Sequence, residues 1–292
     1  MTYKTRRTLT AYAFLSPAIV YFLIYFFWPI AIELWASFRS GQPLIGDSAF
    51  VGLKNYAHIL NDRLAIKAIK ATLIYAIGSV VFTLVLALGL SALLVGPVKA
   101  RNGIRAILFF PYIISFVISA LMWRAILDPY TGLLNAALAK IGLPQQFWLV
   151  DPDTAIWTLI AVSVWKDLGY AVLIYIAAIQ GIPAHLYEAA RMDGARRHHL
   201  FRDITLPLLM PTTLFLAVVI MIASLQEMAL PYLMTQGGPA NATRLYSLHV
   251  YETAFQGLNI GYASALSFAM FMLILLITWA QFKLLHRDIR HV

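Results

Sequence analysis

The chain has 292 residues, 61% of them hydrophobic and 12% charged, with a mean hydropathy of +0.76; soluble domains carry about twice that share of charge, so the composition predicts an integral membrane protein. The absence of cysteine excludes disulfides and thiolate metal sites. A formal charge of +9 and a pI near 9.7 would suit nucleic acid, but the basic residues cluster at the ends of apolar runs, where lipid headgroups account for them.

From Thr8 to Ile32 the chain carries no charge for 25 residues, longer than the roughly 7–15 of a signal h-region and long enough to span a bilayer. The first run therefore reads as a retained helix over about 9–35. Further apolar runs at about 71–95, 106–127, 155–180, 207–230 and 261–284 each suffice, at about 1.5 Å per residue, to cross a core of about 30 Å. The expected fold class is an all-α integral membrane protein: one six-helix domain over 9–286, short ends at 1–8 and 287–292, and a polar loop at 182–206. The outer loops at 36–70, 128–154 and 231–260 are rich in turn formers such as Gly41-Gln42-Pro43 and too short for a soluble domain.

An even number of spans puts both termini on one side. Thirteen cations fall there: Lys4, Arg6, Arg7, Lys99, Arg101, Arg105, Arg191, Arg196, Arg197, Arg202, Lys283, Arg287 and Arg290. Eight fall on the other, at Arg39, Lys54, Arg63, Lys67, Lys70, Arg124, Lys140 and Arg244, and Lys166 lies within a span. The positive-inside bias places both ends and the 182–206 loop in the cytoplasm.

That loop contains Glu188-Ala189-Ala190, Asp193-Gly194-Ala195, Phe201, Ile204 and Leu206-Pro207. Tyr187–Ala195 can form a short helix that projects as a knob, with Gly194 at its end either as a point of close backbone approach or as a plain C-cap. Pro207 and Pro211 suit the start of the fifth span. His198 and His199 are expected to be solvated, without a third ligand for a metal. None of the eight lysines follows a glycine, so no phosphate-cradling G-x-x-x-x-G-K-[ST] loop occurs.

The loop resembles the coupling-helix signature of permease subunits of bacterial binding-protein-dependent ABC importers. Leu15-Ser16-Pro17-Ala18, Trp28-Pro29, Phe50-Val51-Gly52-Leu53-Lys54-Asn55-Tyr56, Gly132-Leu133-Leu134-Asn135, Met234-Thr235-Gln236-Gly237-Gly238-Pro239 and Gly261-Tyr262-Ala263-Ser264-Ala265 extend the likeness to the sugar importers of the maltose and glycerol-phosphate type, in a short six-helix form. Gln236 stands where that family often has glycine. The resemblance implies a type I importer permease fold, a second homologous permease, an ATPase dimer that binds ATP and magnesium and seats the knob, an extracytoplasmic binding protein, and a sugar as cargo. It assigns coupling to Glu188, Ala189, Ala190, Asp193, Gly194 and Ala195, with no cofactor, metal or catalytic residue in this chain.

Charges inside spans are costly, so Lys166, Asp167 and Glu227 are functional candidates, whereas Glu33 suits the interface. By resemblance Tyr170 falls where the family has a sugar-contacting tyrosine, and Asp167 lies one turn before it. Ser224 and Glu227 fall where it has sugar-binding asparagines, at i and i+3 on one helical face beside Gln226. A competing reading pairs Asp167 or Glu227 with Lys166 or Arg124, and for Tyr170 and Ser224 packing competes with binding. Tyr112, Trp123 and Trp157 read as core or aromatic belt. A different class, a proton-coupled carrier titrating Asp167 and Glu227, would leave the coupling loop without a job. An intramembrane enzyme lacks G-x-S-x-G, H-E-x-x-H and C-x-x-C.

Overall fold

The computed structural model describes residues 3–43, 46–96 and 100–289, and every named element among them is helical. Of the cations used above for orientation, Lys99 and Arg290 lie outside the described residues, as do the side chains of Lys4, Arg6, Arg7 and Arg287. The chain divides into two compact units, residues 1–62 with 250–272 and residues 63–249 with 273–292.

In the first unit, α1 (Tyr3–Phe22), a π-helical turn (Leu23–Phe27) and α2 (Trp28–Ser37) run on continuously past the expected 9–35. Pro29 has no N–H to donate, and the widened turn ahead of it absorbs the missing bond. The apolar stretch 12–37 is exposed along most of its length within the chain. The short helix α3 (Lys54–Ile59) is tied down by Asn55, whose amide donates to the carbonyls of Ser37 and Arg39 at 2.8 Å each.

The second unit opens with α4 (Arg63–Val95), which begins eight residues before the expected Ala71. Arg63, Lys67 and Lys70 thus sit on a helical extension whose inner side buries Ala65 and Ala68. Next come α5 (Arg101–Ile113), α6 (Phe116–Ile126), α7 (Leu133–Lys140) and α8 (Pro152–Gln180). The Asp151 side chain caps α8 by accepting from the Asp153 amide at 3.0 Å. Beyond it lie α9 (Ala184–Met192), α10 (Arg197–His199), a π-helical stretch (Leu200–Thr205), α11 (Leu206–Leu208), α12 (Met210–Leu225) and α13 (Ala229–Met234). The chain then forms α14 (Tyr246–Tyr251), a third π-helical turn (Glu252–Gln256) and α15 (Ile260–Ile289).

Two expected spans are bent. The run expected as one helix over 106–127 is α5 and α6 at 100° to each other, and the 197–208 and 210–225 segments meet at 59°. Ile114 and Ser115 are extended at the first break, just after Pro111. At the second, Pro207 stands in the first turn of α11 and Pro211 in the first turn of α12. Four uninterrupted stretches are long and apolar enough to cross a bilayer, and each bent pair taken as one span brings the described total to six.

The core of this unit is α4 packed along α8. Ala68, Thr72, Ala76, Ser79, Thr83, Ala87 and Ser91 recur at spacings of three or four and are all buried, a small-residue stripe that lets two backbones approach where lipid offers no hydrophobic driving force. The seam carries a hydrogen bond between distant segments, from the Tyr246 amide to the Thr72 hydroxyl at 2.7 Å. Across α8, Gly169 meets α5 so closely that a Cβ there would collide with the Leu108 carbonyl and the Phe109 backbone. Gly169→Val should therefore force α5 off α8 at a cost of about 1–3 kcal/mol, lowering the thermal midpoint of the protein in nanodiscs by roughly 2–4 °C per kcal/mol. An unchanged midpoint would refute the contact.

Candidate functional site

The centre of the second unit is organised by Lys166, which is only 3% exposed. Its ammonium has three donors, and they meet three carbonyls at the broken end of α5: Pro111 and Tyr112 at 3.3 Å each, and Ile114 closer still. A helix that stops inside a bilayer leaves carbonyls unpaired at its negative end, and a cation there satisfies both bonding and dipole. The Phe116 ring lies 4.5 Å from Nζ on the far side of the break. Neither Asp167 nor Glu227 approaches Lys166 within ion-pair distance among the described residues, so the competing reading of a pair with Lys166 does not hold.

Glu227 is likewise committed to backbone. Because α12 stops at Leu225, Ser224 and Glu227 do not share a helical face as expected. Glu227 precedes α13, where its Oε1 accepts from the Leu230 amide at 2.9 Å and caps that helix. Arg124 serves the other end, donating to the Leu233 carbonyl at 3.0 Å instead of meeting a carboxylate. Ser224 is buried and Gln226 exposed.

Asp167 and Tyr170 remain on the continuous α8, one turn apart, both half-buried. The Asp167 carboxylate makes no hydrogen bond within the described chain. Tyr170 stacks on Tyr112, with ring centroids 4.8 Å apart and planes 12° from parallel. Tyr112 is 40% exposed and stands on the last turn of α5, so the break that Lys166 holds is also what presents this ring. Tyr112, expected in the core or aromatic belt, is instead a half-exposed partner of Tyr170. The signal for it was Pro111 inside an apolar run, with a lysine in another span to receive the carbonyls that a break would free.

Toward the outer loops, a cavity of about 370 Å³ is lined by Arg124, Asp128, Tyr130, Thr235, Gln236 and Pro239 among others. Asp128 organises the turn beside it: bonds from the Thr131 amide and hydroxyl and the Tyr130 amide hold its carboxyl below the ordinary aspartate value. That contribution to the turn is present above the ordinary carboxylate range and is lost only as pH falls through the lowered value. An apolar cavity of about 420 Å³ has Trp123, Trp148, Trp157 and Trp165 in its walls.

At the opposite extreme is α9. No residue of this helix is buried, and Met192 is 88% exposed. Glu188, Ala189, Asp193 and Gly194 are exposed, and Ala190 and Ala195 half-buried. Gly194 has φ +80°, its amide donates to the Arg191 carbonyl at 3.0 Å, and the Ala195 amide reaches back to Ala190 at 2.9 Å. This is a Schellman end, so Gly194 is a C-cap, while a Cβ there would meet nothing within 4 Å. The glycine is required by the backbone, and the space over it is open. His198 and His199 are exposed, and no group of three or more metal-ligating side chains occurs among the described residues.

A helical bundle with two bent spans, a polar half-buried site inside it and a helical knob projecting from a loop is the architecture of a multi-pass transport permease. Residues 72–291 match the family model described as binding-protein-dependent transport system inner membrane component, and the chain belongs to that family. It is 35% identical over 276 residues to the probable ABC transporter permease protein YurN of Bacillus subtilis (strain 168), covering 93% of this chain and 94% of that one. It is 31% identical to the sn-glycerol-3-phosphate transport system permease protein UgpA of Agrobacterium fabrum (strain C58 / ATCC 33970), over 96% of each. Among solved structures, a chain of the bacterial alginate ABC transporter in complex with alginate pentasaccharide-bound periplasmic protein superposes with a TM-score of 0.84 at 27% identity, over 98% of this chain and 97% of that one. The protein is thus an inner-membrane permease of the ABC importer class with the type I fold; the proton-coupled alternative has no support from these relatives.

The two intramembrane charges on α8 should behave differently on removal. Lys166→Met strands the Tyr112 and Ile114 carbonyls, while that of Pro111 keeps its bond from the Ile114 amide at 3.2 Å, and should cost about 1–3 kcal/mol, whereas Asp167→Asn, which breaks no bond within the described chain, should stay within about 0.5 kcal/mol. Thermal unfolding of both variants in nanodiscs checks this. Equal losses would mean that the residues act as a pair.

Proposed function

We propose that this permease forms one half of a heterodimeric pore for a sugar, taking cargo from an extracytoplasmic binding protein and driven through α9 by a separate ATPase subunit that holds the ATP and magnesium. The observation that carries the coupling reading is α9 itself, a helix with no residue buried in its own chain and open space over its glycine end. Such a knob calls for a socket elsewhere. Glu188 and Asp193 would supply polar contacts, and Ala189, Ala190, Gly194 and Ala195 the close fit. The loop that carries it, and with it both termini, faces the cytoplasm, where ATP is.

For the cargo, the Tyr112–Tyr170 pair offers aromatic faces to sugar C–H surfaces, and Asp167 accepts hydroxyl protons. Ser224, Gln226 and Glu227 stand at the end of α12 as further candidates, with the Glu227 carboxylate partly engaged by α13. Lys166 spends its donors on backbone carbonyls, so the Asp167 carboxylate is not ion-paired and the site offers no free cationic donor. This favours a neutral or amino sugar over the glycerol phosphate and alginate named for the relatives.

Because the chain lacks cysteine, Met192→Cys gives a single thiol on the knob. It should crosslink to the ATPase subunit in inner-membrane vesicles, and Gly194→Asp should leave the protein inserted while abolishing uptake. Normal ATP-driven uptake by Gly194→Asp in proteoliposomes would refute the coupling assignment. Tyr170→Ala should raise the half-saturating sugar concentration about two- to tenfold, the size of a lost aromatic contact. Loss of ATPase binding instead would make Tyr170 structural.

A further inference from the structure

We propose that two tyrosine–threonine hydrogen bonds bracket the bend at Leu209 and carry the movement of α9 into α12, making Tyr187 and Tyr175 positioning residues for transport. The proposal rests on the reading of α9 as the ATPase-docking element.

Among the described residues, α9 makes one side-chain hydrogen bond to the rest of the chain, between the Tyr187 hydroxyl and Thr205 Oγ1 at 2.9 Å. Thr205 is 6% exposed and spends its own proton on the Leu200 carbonyl, 3.1 Å away across the π-helical turn. Its oxygen therefore accepts, and Tyr187 is the donor. Eight residues on, the same device recurs. Thr213 Oγ1 donates to the Leu209 carbonyl at 3.0 Å and accepts from the Tyr175 hydroxyl of α8 at 3.0 Å. The two are joined through backbone, because the Leu209 amide donates to the Thr205 carbonyl at 3.0 Å.

Between these clamps the helix is weak. Pro207 and Pro211 supply no N–H, the chain turns by 59°, and the ladder that would stiffen a regular helix is interrupted. Leu209 and Tyr175 are fully buried, so the membrane-side clamp is anchored in the core, while the loop-side clamp hangs on an exposed helix. A push on α9 then reaches the backbone at Thr205 through one directional bond, and α8 acts as the fulcrum through Tyr175. Packing alone would transmit the push less specifically, since no residue of α9 is fully buried.

The test uses the cysteine-free chain with Gln226→Cys as reporter, assembled with its permease and ATPase partners made cysteine-free. The readout is the rate of labelling by an impermeant maleimide added outside, with and without ATP and vanadate. Tyr187→Phe, Thr205→Val and Tyr175→Phe should each shrink the ATP-induced change in rate about three- to tenfold, the worth of one hydrogen bond. Thr205→Ser should retain it. The Tyr187→Phe/Thr205→Val double variant should be no worse than the worse single, as for one shared bond. The Met192→Cys crosslink to the ATPase should persist in all of them. A wild-type response in Tyr187→Phe, losses that multiply in the double variant, or a crosslink that disappears with the tyrosine hydroxyl would each overturn the proposal. Failure of the docking reading would look different: no crosslink in a chain carrying Met192→Cys alone.

Discussion

The arrangement of the second unit depends on how a helix can be broken inside a bilayer. Each unpaired carbonyl in hydrocarbon costs several kcal/mol, and a lysine at that depth costs about 2.5–3.5 kcal/mol on insertion scales. Separately both are prohibitive. Together they offset each other, because the Lys166 ammonium donates to the Tyr112 and Ile114 carbonyls at the end of α5 and shares that of Pro111 with the Ile114 amide. The 100° turn between α5 and α6 follows, and with it the position of Tyr112 against Tyr170. Removing the lysine would remove the geometry of the site although the lysine itself spends its donors on backbone.

The same economy governs the other intramembrane charges. Glu227 and Arg124 bind opposite ends of the six-residue α13, an acid at the amino end and a base at the carboxyl end, as the helix dipole favours. These residues look like partners in the sequence, and the structure assigns each of them to backbone instead. Asp167 is the exception. It stands half-buried with no hydrogen bond within the described chain, and a polar group held so is better explained by an external partner than by stability.

What could be read from sequence divides along physical lines. The spans were legible because membrane thickness sets a length that hydropathy measures directly, and α9 was legible because charged, helix-forming residues between two apolar runs have nowhere else to go. Helix breaks were not. Ile113-Ile114-Ser115-Phe116 is as apolar as its surroundings, and the end of α12 at Leu225 falls inside a run that hydropathy extends to Leu230. Assuming an unbroken helix there put Ser224 and Glu227 on one face and left Tyr112 among ordinary core aromatics. Breaks are set by which side chains elsewhere can take up the freed carbonyls and amides, and that information lies 55 residues away between Lys166 and Pro111 and 109 away between Arg124 and Leu233.

One uninterrupted helix joins these parts. α8 runs without interruption from Pro152 to Gln180, and along it Lys166 holds the break of one bent span while Tyr175 clamps the bend of the other. The two anchors are nine residues apart, about 13.5 Å of helix rise, and Asp167 and Tyr170 lie between them. A rigid rod with a bent helix at each end of its working stretch keeps the two bends in fixed register, so a change of angle at Leu209 cannot occur without the opposite face of α12 moving relative to the groups between the anchors. In the coupling proposed above, motion of α9 therefore passes Asp167 and Tyr170, the two candidate cargo residues that stand on the uninterrupted α8.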